Sequence, residues 1–313
     1  MPEPPMSTPN PRVMTIPVAF LLDSDAVAED TSLATSDSPV GVTQEEHVPF
    51  DHRSLVDVAV RVATEAGELV RTSRDQAVSL VDTKSTITDV VTAADRASER
   101  LVRARLGELR PGEPVIGEEE GGEAALDGLT WVVDPIDGTV NYLYGIPHYA
   151  VSVAAQEDGE SVAAAVVEPA TGRVWTASRG GGAFLDGAPL RVSAPERLDV
   201  TLLGYGFAYR AERRRRQAQT WAALSEVLRD IRRAGAASLD LCAVAAGRLD
   251  AYAEHSLGRW DWAGGALLAR EAGAVVLLPG EAPELGADAT FAAAPSIADA
   301  LRTALVEAGF GEV

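Results

Sequence analysis

One cysteine, Cys242, occurs in 313 residues, so no disulfide can form within the chain. Such sparing use of thiols suits a reducing, cytoplasmic setting. No apolar run is long enough to span a bilayer. A short apolar patch at residues 16–22 has no basic stretch before it and no clear cleavage site after it, unlike a secretory signal. Positive charge is scarce: 27 Lys and Arg face 47 Asp and Glu, a formal net charge of −20. That balance argues against nucleic acid or an anionic membrane as the main partner. It suits a protein that gathers cations, although much of the excess is solvated surface. Lysine is nearly absent, Lys84 being the sole one. Arg and Lys are not interchangeable. Lys84 therefore either marks a place that needs a compact ammonium group or survives by chance in an arginine-favouring sequence.

The chain is long enough for one large domain or two layered halves. Residues 1–50, rich in Pro, Ser, Thr and acids without periodicity, read as a disordered tail or an over-long start. The remainder, 51–313, reads as one domain with halves at about 51–195 and 196–313. Residues 55–74 place apolar side chains at helical spacing. Thr92 can cap a second helix running to about Leu109, where Arg-Pro-Gly ends it. Strands are expected at 114–116, 131–133, 150–155, 161–167, 173–177, 183–185 and 190–192, several separated by Asp-Gly or Thr-Gly turns. Most of these form a strand-rich middle, a meander in one sheet. The last third alternates strands (201–204, 249–253, 274–278) with helices (211–228, 238–246, 261–272, 297–308). The pattern predicts an α/β sandwich in which mixed sheets lie between helix pairs.

Chemistry concentrates at residues 131–141, Trp-Val-Val-Asp-Pro-Ile-Asp-Gly-Thr-Val-Asn. Asp134 stands at the carboxyl end of a buried strand, where open α/β sheets bind ligands. Pro135 bends the chain, so that Asp134, the Ile136 carbonyl and Asp137 face one point, an oxygen cluster suited to a hard cation such as Mg²⁺. Gly138 permits close backbone approach. The amides of Gly138 and Thr139 open a helix that attracts phosphate. Asp-Gly is equally a tight-turn pair, and a simple hairpin is the competing reading. Asp95 falls in the first turn of the second helix, where helix capping alone accounts for it. Glu118 follows a strand and a glycine, or belongs to an exposed acidic loop. Asp261 opens a helix after Trp260, as a cap or as a ligand. Glu254 ends a strand and could meet a substrate hydroxyl. Cys242 reads as core.

Four segments together resemble the inositol monophosphatase family of metal-dependent, lithium-sensitive phosphatases. They are Lys84 with Asp89-Val-Val-Thr-Ala-Ala-Asp95, Gly117-Glu118-Glu119, Asp134-Pro-Ile-Asp-Gly-Thr-Val-Asn141, and Trp260-Asp261-Trp-Ala-Gly-Gly. Order and spacing are kept over roughly 55–308, and the likeness is to the bacterial inositol-1-monophosphatase branch. The resemblance implies the layered fold shared with fructose-1,6-bisphosphatase and a homodimer. It also implies two or three Mg²⁺ ions held by Glu118, Asp134, the Ile136 carbonyl, Asp137 and Asp261. Asp95 and Thr139, with Glu118, would act on the attacking water. Gly138 and Thr139 amides would hold phosphate, beside Asp137 and Asp261. Gly235, Ala236, Ala237 and Glu254 would meet the polyol, with Lys84 near the acids. Trp262 and Gly264 depart from the smaller aliphatic and the Ala expected there, and Ala236 from Ser or Thr. Rival substrates are fructose 1,6-bisphosphate, histidinol phosphate and a 3′-phosphonucleotide. A different class of reading is a binding factor in a transcription complex, for which Arg213 to Arg216 could serve, although such a run is usually a solvated helix face.

Overall fold

In a computed structural model the described residues are 51–77, 81–83, 90–125 and 128–313. The expectations for residues 1–50, for Lys84 and for Asp89 lie outside them. In α1 (His52–Ala77) the side chains of Leu55, Ala59, Val62, Ala66 and Val70 share one face and are buried, as an amphipathic helix on a core requires. An antiparallel pair, β1 (Val81–Thr83) and β2 (Val90–Thr92), leads into α2 (Ala93–Leu109), capped by Thr92. Then follow β3 (Val115–Gly117), β4 (Leu129–Asp137), the short α3 (Thr139–Tyr144) and β5 (Ala150–Glu157). Next come β6 (Glu160–Glu168), β7 (Arg173–Ser178), β8 (Gly182–Leu185) and β9 (Ala188–Pro189). These strands form a seven-stranded sheet, β3-β4-β5-β6-β7-β8-β9. It is the expected meander, antiparallel from β4 onward, with β3 added in parallel at its edge.

The second half contributes β10 (Leu202–Tyr205), α4 (Ala211–Leu224), β11 (Asp230–Arg232), α5 (Ala237–Ala245) and β12 (Ala251–His255). It continues with α6 (Arg259–Glu271), β13 (Val275–Leu277), β14 (Ala289–Ala293) and α7 (Ala298–Glu307). Its five-stranded sheet runs β11-β10-β12-β14-β13, with β11, β10 and β12 parallel and β14 antiparallel to both neighbours.

The layers are helices, sheet, helices, sheet, helices. On β5, Val151, Val153 and Ala155 join the core beneath α1 and α2, whereas Ala150 and Ala154 join the core beneath α5 and α6. On β12, Tyr252 faces α5 and α6, while Ala251 and Ala253 face the side of α4 and α7. Sheets covered on both faces need strands that are apolar at every position, and this explains the long Ala/Val runs. The α/β layered sandwich is therefore present.

Three stretches depart furthest from the bounds expected of the sequence. No strand occupies 190–192. Asp186 (φ 49°) and Gly187 (φ 80°) turn the chain within two residues, so β9 falls earlier, at Ala188–Pro189. The helix expected over 211–228 ends at Leu224, and Arg229 N then donates to Thr201 O as the chain enters β11. β4 runs beyond Val133 to Asp137, with consequences for the site. Among the described residues, no helix is long and apolar enough to cross a membrane.

Candidate active site

Asp134 and Asp137 are three residues apart, and on a regular strand such residues face opposite ways. The pairing of β4 with β5 resolves this. Asp134 pairs with Ser152 and Asp137 with Ala150, so three steps on β4 match two on β5. That is a bulge, and the extra residue returns both carboxylates to one side. Pro135 sits within it, where its missing N–H is tolerated, and Ser98 of α2 donates to the Pro135 carbonyl at 3.0 Å. Gly138 follows with φ +89°; a Cβ there would stand 3.1 Å from His148 O and 3.2 Å from Ala236 Cβ. The positive φ favours glycine, and a Cβ would be tight against both neighbours.

α6 brings the third acid. Asp261 Oδ2 accepts from Gly258 N at 2.6 Å, which is the capping arrangement. Cβ atoms at Gly264 and Gly265 would lie 2.7 Å from Ser152 Oγ and 2.7 Å from Leu241 Cβ. The two glycines therefore let α6 lie close to both the sheet and α5. Among the described residues, Asp134, Asp137 and Asp261 form the group whose carboxylate oxygens lie within 4.8 Å of one another. Asp134 and Asp137 are almost wholly buried. Hard oxygen donors converging in this way fit Mg²⁺.

Asp137 has further partners. Ser238 N donates to its Oδ2 at 2.7 Å, Ala237 N to its Oδ1 at 3.1 Å, and the Ser238 hydroxyl donates to Oδ2 as well. The first turn of α5, expected to meet the polyol, thus also holds a carboxylate. Ser238 was not foreseen; a serine in a helix's first turn was its only signal. Burial pushes Asp137 up to about 6, against the pull of Ser238. Burial also drives Asp261 well above the usual carboxylate range, with the charges of Glu118 and Asp137 adding to it. Glu118, just after β3, is therefore within electrostatic reach, though outside the close trio.

Asp95 serves two purposes. Its Oδ2 accepts from Thr92 N at 2.8 Å and Thr92 Oγ1 at 2.6 Å, the capping arrangement. Its Oδ1 lies 3.0 Å from Thr139 Oγ1, which is also 3.0 Å from the Ile136 carbonyl. A hydroxyl has one proton to donate, so Thr139 divides it between these acceptors.

On the other side, Glu254 accepts from the Tyr252 hydroxyl at 2.5 Å. Its carboxylate occupies the space a side chain at Gly206 would need, 1.6 Å from the Cβ position. Burial raises Glu254 to about 7. Asn141 Nδ2 donates to His148 O and Ala234 O, both at 2.8 Å, tying α3 to the segment with Gly235 (φ +96°). From α1, Arg74 donates to Tyr142 O at 3.0 Å and Leu143 O at 3.3 Å. It thereby staples the last carbonyls of α3, a contact that nothing in the local sequence announced.

The sequence model of the inositol monophosphatase family matches residues 51–309. The chain belongs to that family. It is 52% identical over 274 residues to an inositol-1-monophosphatase of Mycobacterium leprae (strain TN), covering 82% of this chain and 94% of that one. The Nus factor SuhB of Escherichia coli (strain K12) is 37% identical over 227 residues, covering 71% of this chain and 84% of that protein. Among solved structures, Mycobacterium tuberculosis SuhB superposes with a TM-score of 0.72 at 44% identity, covering 83% of this chain and 98% of that one. Membership makes the chain one of a family of phosphatases that act on phosphate esters. The Trp262 that departs from the expected pattern packs against the cores on both sides of α6.

Proposed function

We propose that the chain is a Mg²⁺-dependent phosphomonoesterase that hydrolyses myo-inositol 1-phosphate and related inositol monophosphates, with residues 51–313 as its catalytic domain. The observation that carries this is the trio Asp134, Asp137 and Asp261, the first two buried and the third half-buried, standing beside the Asp95–Thr139 pair. Glu118 and the Ile136 carbonyl complete the set that would hold two or three ions. Bound there, Mg²⁺ would neutralise phosphate charge and make a nearby water more acidic. The Gly138 and Thr139 amides would orient the phosphate. Thr139 Oγ1, donating to Asp95 Oδ1, keeps lone pairs for a proton of the attacking water and passes a proton to Asp95. The water oxygen forms the new P–O bond as the ester P–O bond breaks, and the leaving alkoxide takes a proton from solvent, to which Asp95 returns the one it received. Gly235, Ala236, Ala237, Glu254 and Asp261 would receive the polyol, and Lys84 would approach the acids. No nucleophilic side chain is needed, because phosphoryl transfer demands positioning and charge stabilisation above all. A cytoplasmic homodimer completes this reading.

Phosphate release with Mg²⁺ present or chelated, across myo-inositol 1-phosphate, fructose 1,6-bisphosphate, histidinol phosphate and a 3′-phosphonucleotide, tests it. Release from the inositol ester that requires Mg²⁺ is expected. Preference for another ester would keep the chemistry and change the substrate, and no release from any would overturn the reading. The likeness to a Nus factor supports a second role as a binding factor in a transcription complex. Of the arginines on α4, however, Arg213 is paired with Asp288 at 2.6 Å and Arg216 with Glu212 at 3.6 Å. Capture of a partner that survives Asp134→Asn would separate the two roles.

A further inference from the structure

The turn that presents Glu118 is built around a buried acid not used in the chemistry above. Glu99, in the second turn of α2, has a fully enclosed side chain. Its Oε2 accepts from Glu119 N at 2.7 Å, and its Oε1 from Glu120 N at 3.1 Å. The amides of the two residues after Glu118 therefore aim at one carboxylate. Arg103, one helical turn onward, supplies the countercharge, with Nε 2.9 Å from Glu99 Oε1. Arg103 also donates to Val115 O at 3.0 Å and to Gly121 O at 2.5 Å. Gly117 and Gly121 exchange backbone hydrogen bonds of 2.9 and 3.1 Å and close the turn. A Cβ at residue 117 would stand 2.1 Å from Glu99 Oε1, so the glycine before Glu118 is what admits the carboxylate. A buried carboxylate is costly unless it is paired and hydrogen-bonded. Arg103 pairs with Glu99, and the two amides that donate to it both belong to the turn that carries Glu118.

We infer that Glu99 is a positioning residue for the metal. By fixing the amides of Glu119 and Glu120 it sets the direction of the Glu118 carboxylate, and so the affinity for Mg²⁺. This rests on the metal-dependent reading proposed above. α2 then holds both Asp95, in its first turn, and the Glu118 turn, so one rigid element relates the proposed base to a metal ligand. Groups that orient a ligand from behind typically change metal affinity roughly 10- to 100-fold when removed.

The test is binding of the metal alone to the full chain. Mn²⁺ is titrated by electron paramagnetic resonance of the free ion, with Mg²⁺ in competition, for the wild type, Glu99→Gln, Gly117→Ala and Asp134→Asn. Glu99→Gln and Gly117→Ala are expected to weaken binding by about 10-fold or more with circular dichroism unchanged. Exchange of the Glu119 and Glu120 amides should quicken in both. Gly117→Ala pushes the carboxylate away without changing a buried charge, so it serves where Glu99→Gln does not fold. In the wild type without metal both amides should be protected, and rapid exchange there would overturn the inference whatever the variants do. Binding lost in Asp134→Asn but unchanged in Glu99→Gln and Gly117→Ala would overturn it while leaving the metal reading intact. A wild type that binds no metal would remove both.

Discussion

Binding of Mg²⁺ should expel a proton, and the geometry says about how much. In the trio Asp134, Asp137 and Asp261, oxygens lie within 4.8 Å of one another. At an effective dielectric constant of about 20, two charges at that distance repel by about 3.5 kcal/mol. An acid with two ionised neighbours thus carries about 7 kcal/mol of repulsion. Keeping one ordinary aspartic acid protonated at neutral pH costs about 4 kcal/mol. Repulsion wins, so the metal-free cluster retains about one proton, in line with the upward shifts of Asp137 and Asp261. A cation removes the reason for holding it, and metal ligands must be deprotonated. Calorimetric titration with Mg²⁺ near pH 6.5, in buffers of different ionisation enthalpy, reads the number released. About one proton is expected, falling towards none in alkaline solution, and Asp261→Asn should lose most of the release. Binding of Mg²⁺ with no dependence on the buffer would refute the argument.

The same shifts govern stability without metal. Because the folded Asp137 carboxyl is raised from 3.8 to about 6, the folded state binds more protons between those values. Its contribution is present below about pH 4 and is lost as pH rises through 6, up to about 3 kcal/mol; thermal melts of the chelated protein should show a falling midpoint over that window. Thr139→Val removes a hydroxyl at nearly constant shape and should lower kcat about 10²- to 10⁴-fold, whereas Thr139→Ser should retain most activity; equal rates for both would exclude a proton role for the hydroxyl. Gly206→Ala should displace Glu254 and raise KM for the inositol ester with less effect on kcat, seen in steady-state kinetics. Arg74→Ala should take the arginine donor from the Tyr142 and Leu143 carbonyls, leaving Tyr142 O only Gly145 N, costing about 1–3 kcal/mol in denaturant unfolding and lowering kcat through the displaced Thr139.

Much of the fold was legible because the two periodicities are local. The spacing of Leu55, Ala59, Val62 and Val70 is helical whatever surrounds it, and the run from Ala150 to Ala155 reads as a strand in any context. β11 and β14 escaped notice because three and five residues of mixed character carry little periodic signal, and their neighbours in the sheet, not their own sequence, make them strands. At the site, Asp134 and Asp137 stood out as acids at close spacing, whereas Asp95 and Thr139 were paired only through the resemblance of their segments to the family. Their opposing alternatives did not exclude one another, since Asp95 and Asp261 each cap a helix with one oxygen and face the site as well.

What the chain alone determined, then, is the set of acids, the glycine after Asp137 and the order of helices and strands, all set by short-range sterics and hydrophobic spacing. Tertiary structure decided which acids meet. The bulge turns Asp134 and Asp137 to one side only because β5 offers two residues to three of β4. Asp261 arrives across the layers only because Gly264 and Gly265 let α6 approach. Ser238, Glu99, Arg74 and Asn141 gained their places from partners distant in sequence or on neighbouring elements. Those partners are backbone amides, carbonyls and carboxylates whose positions exist only once the layers have packed.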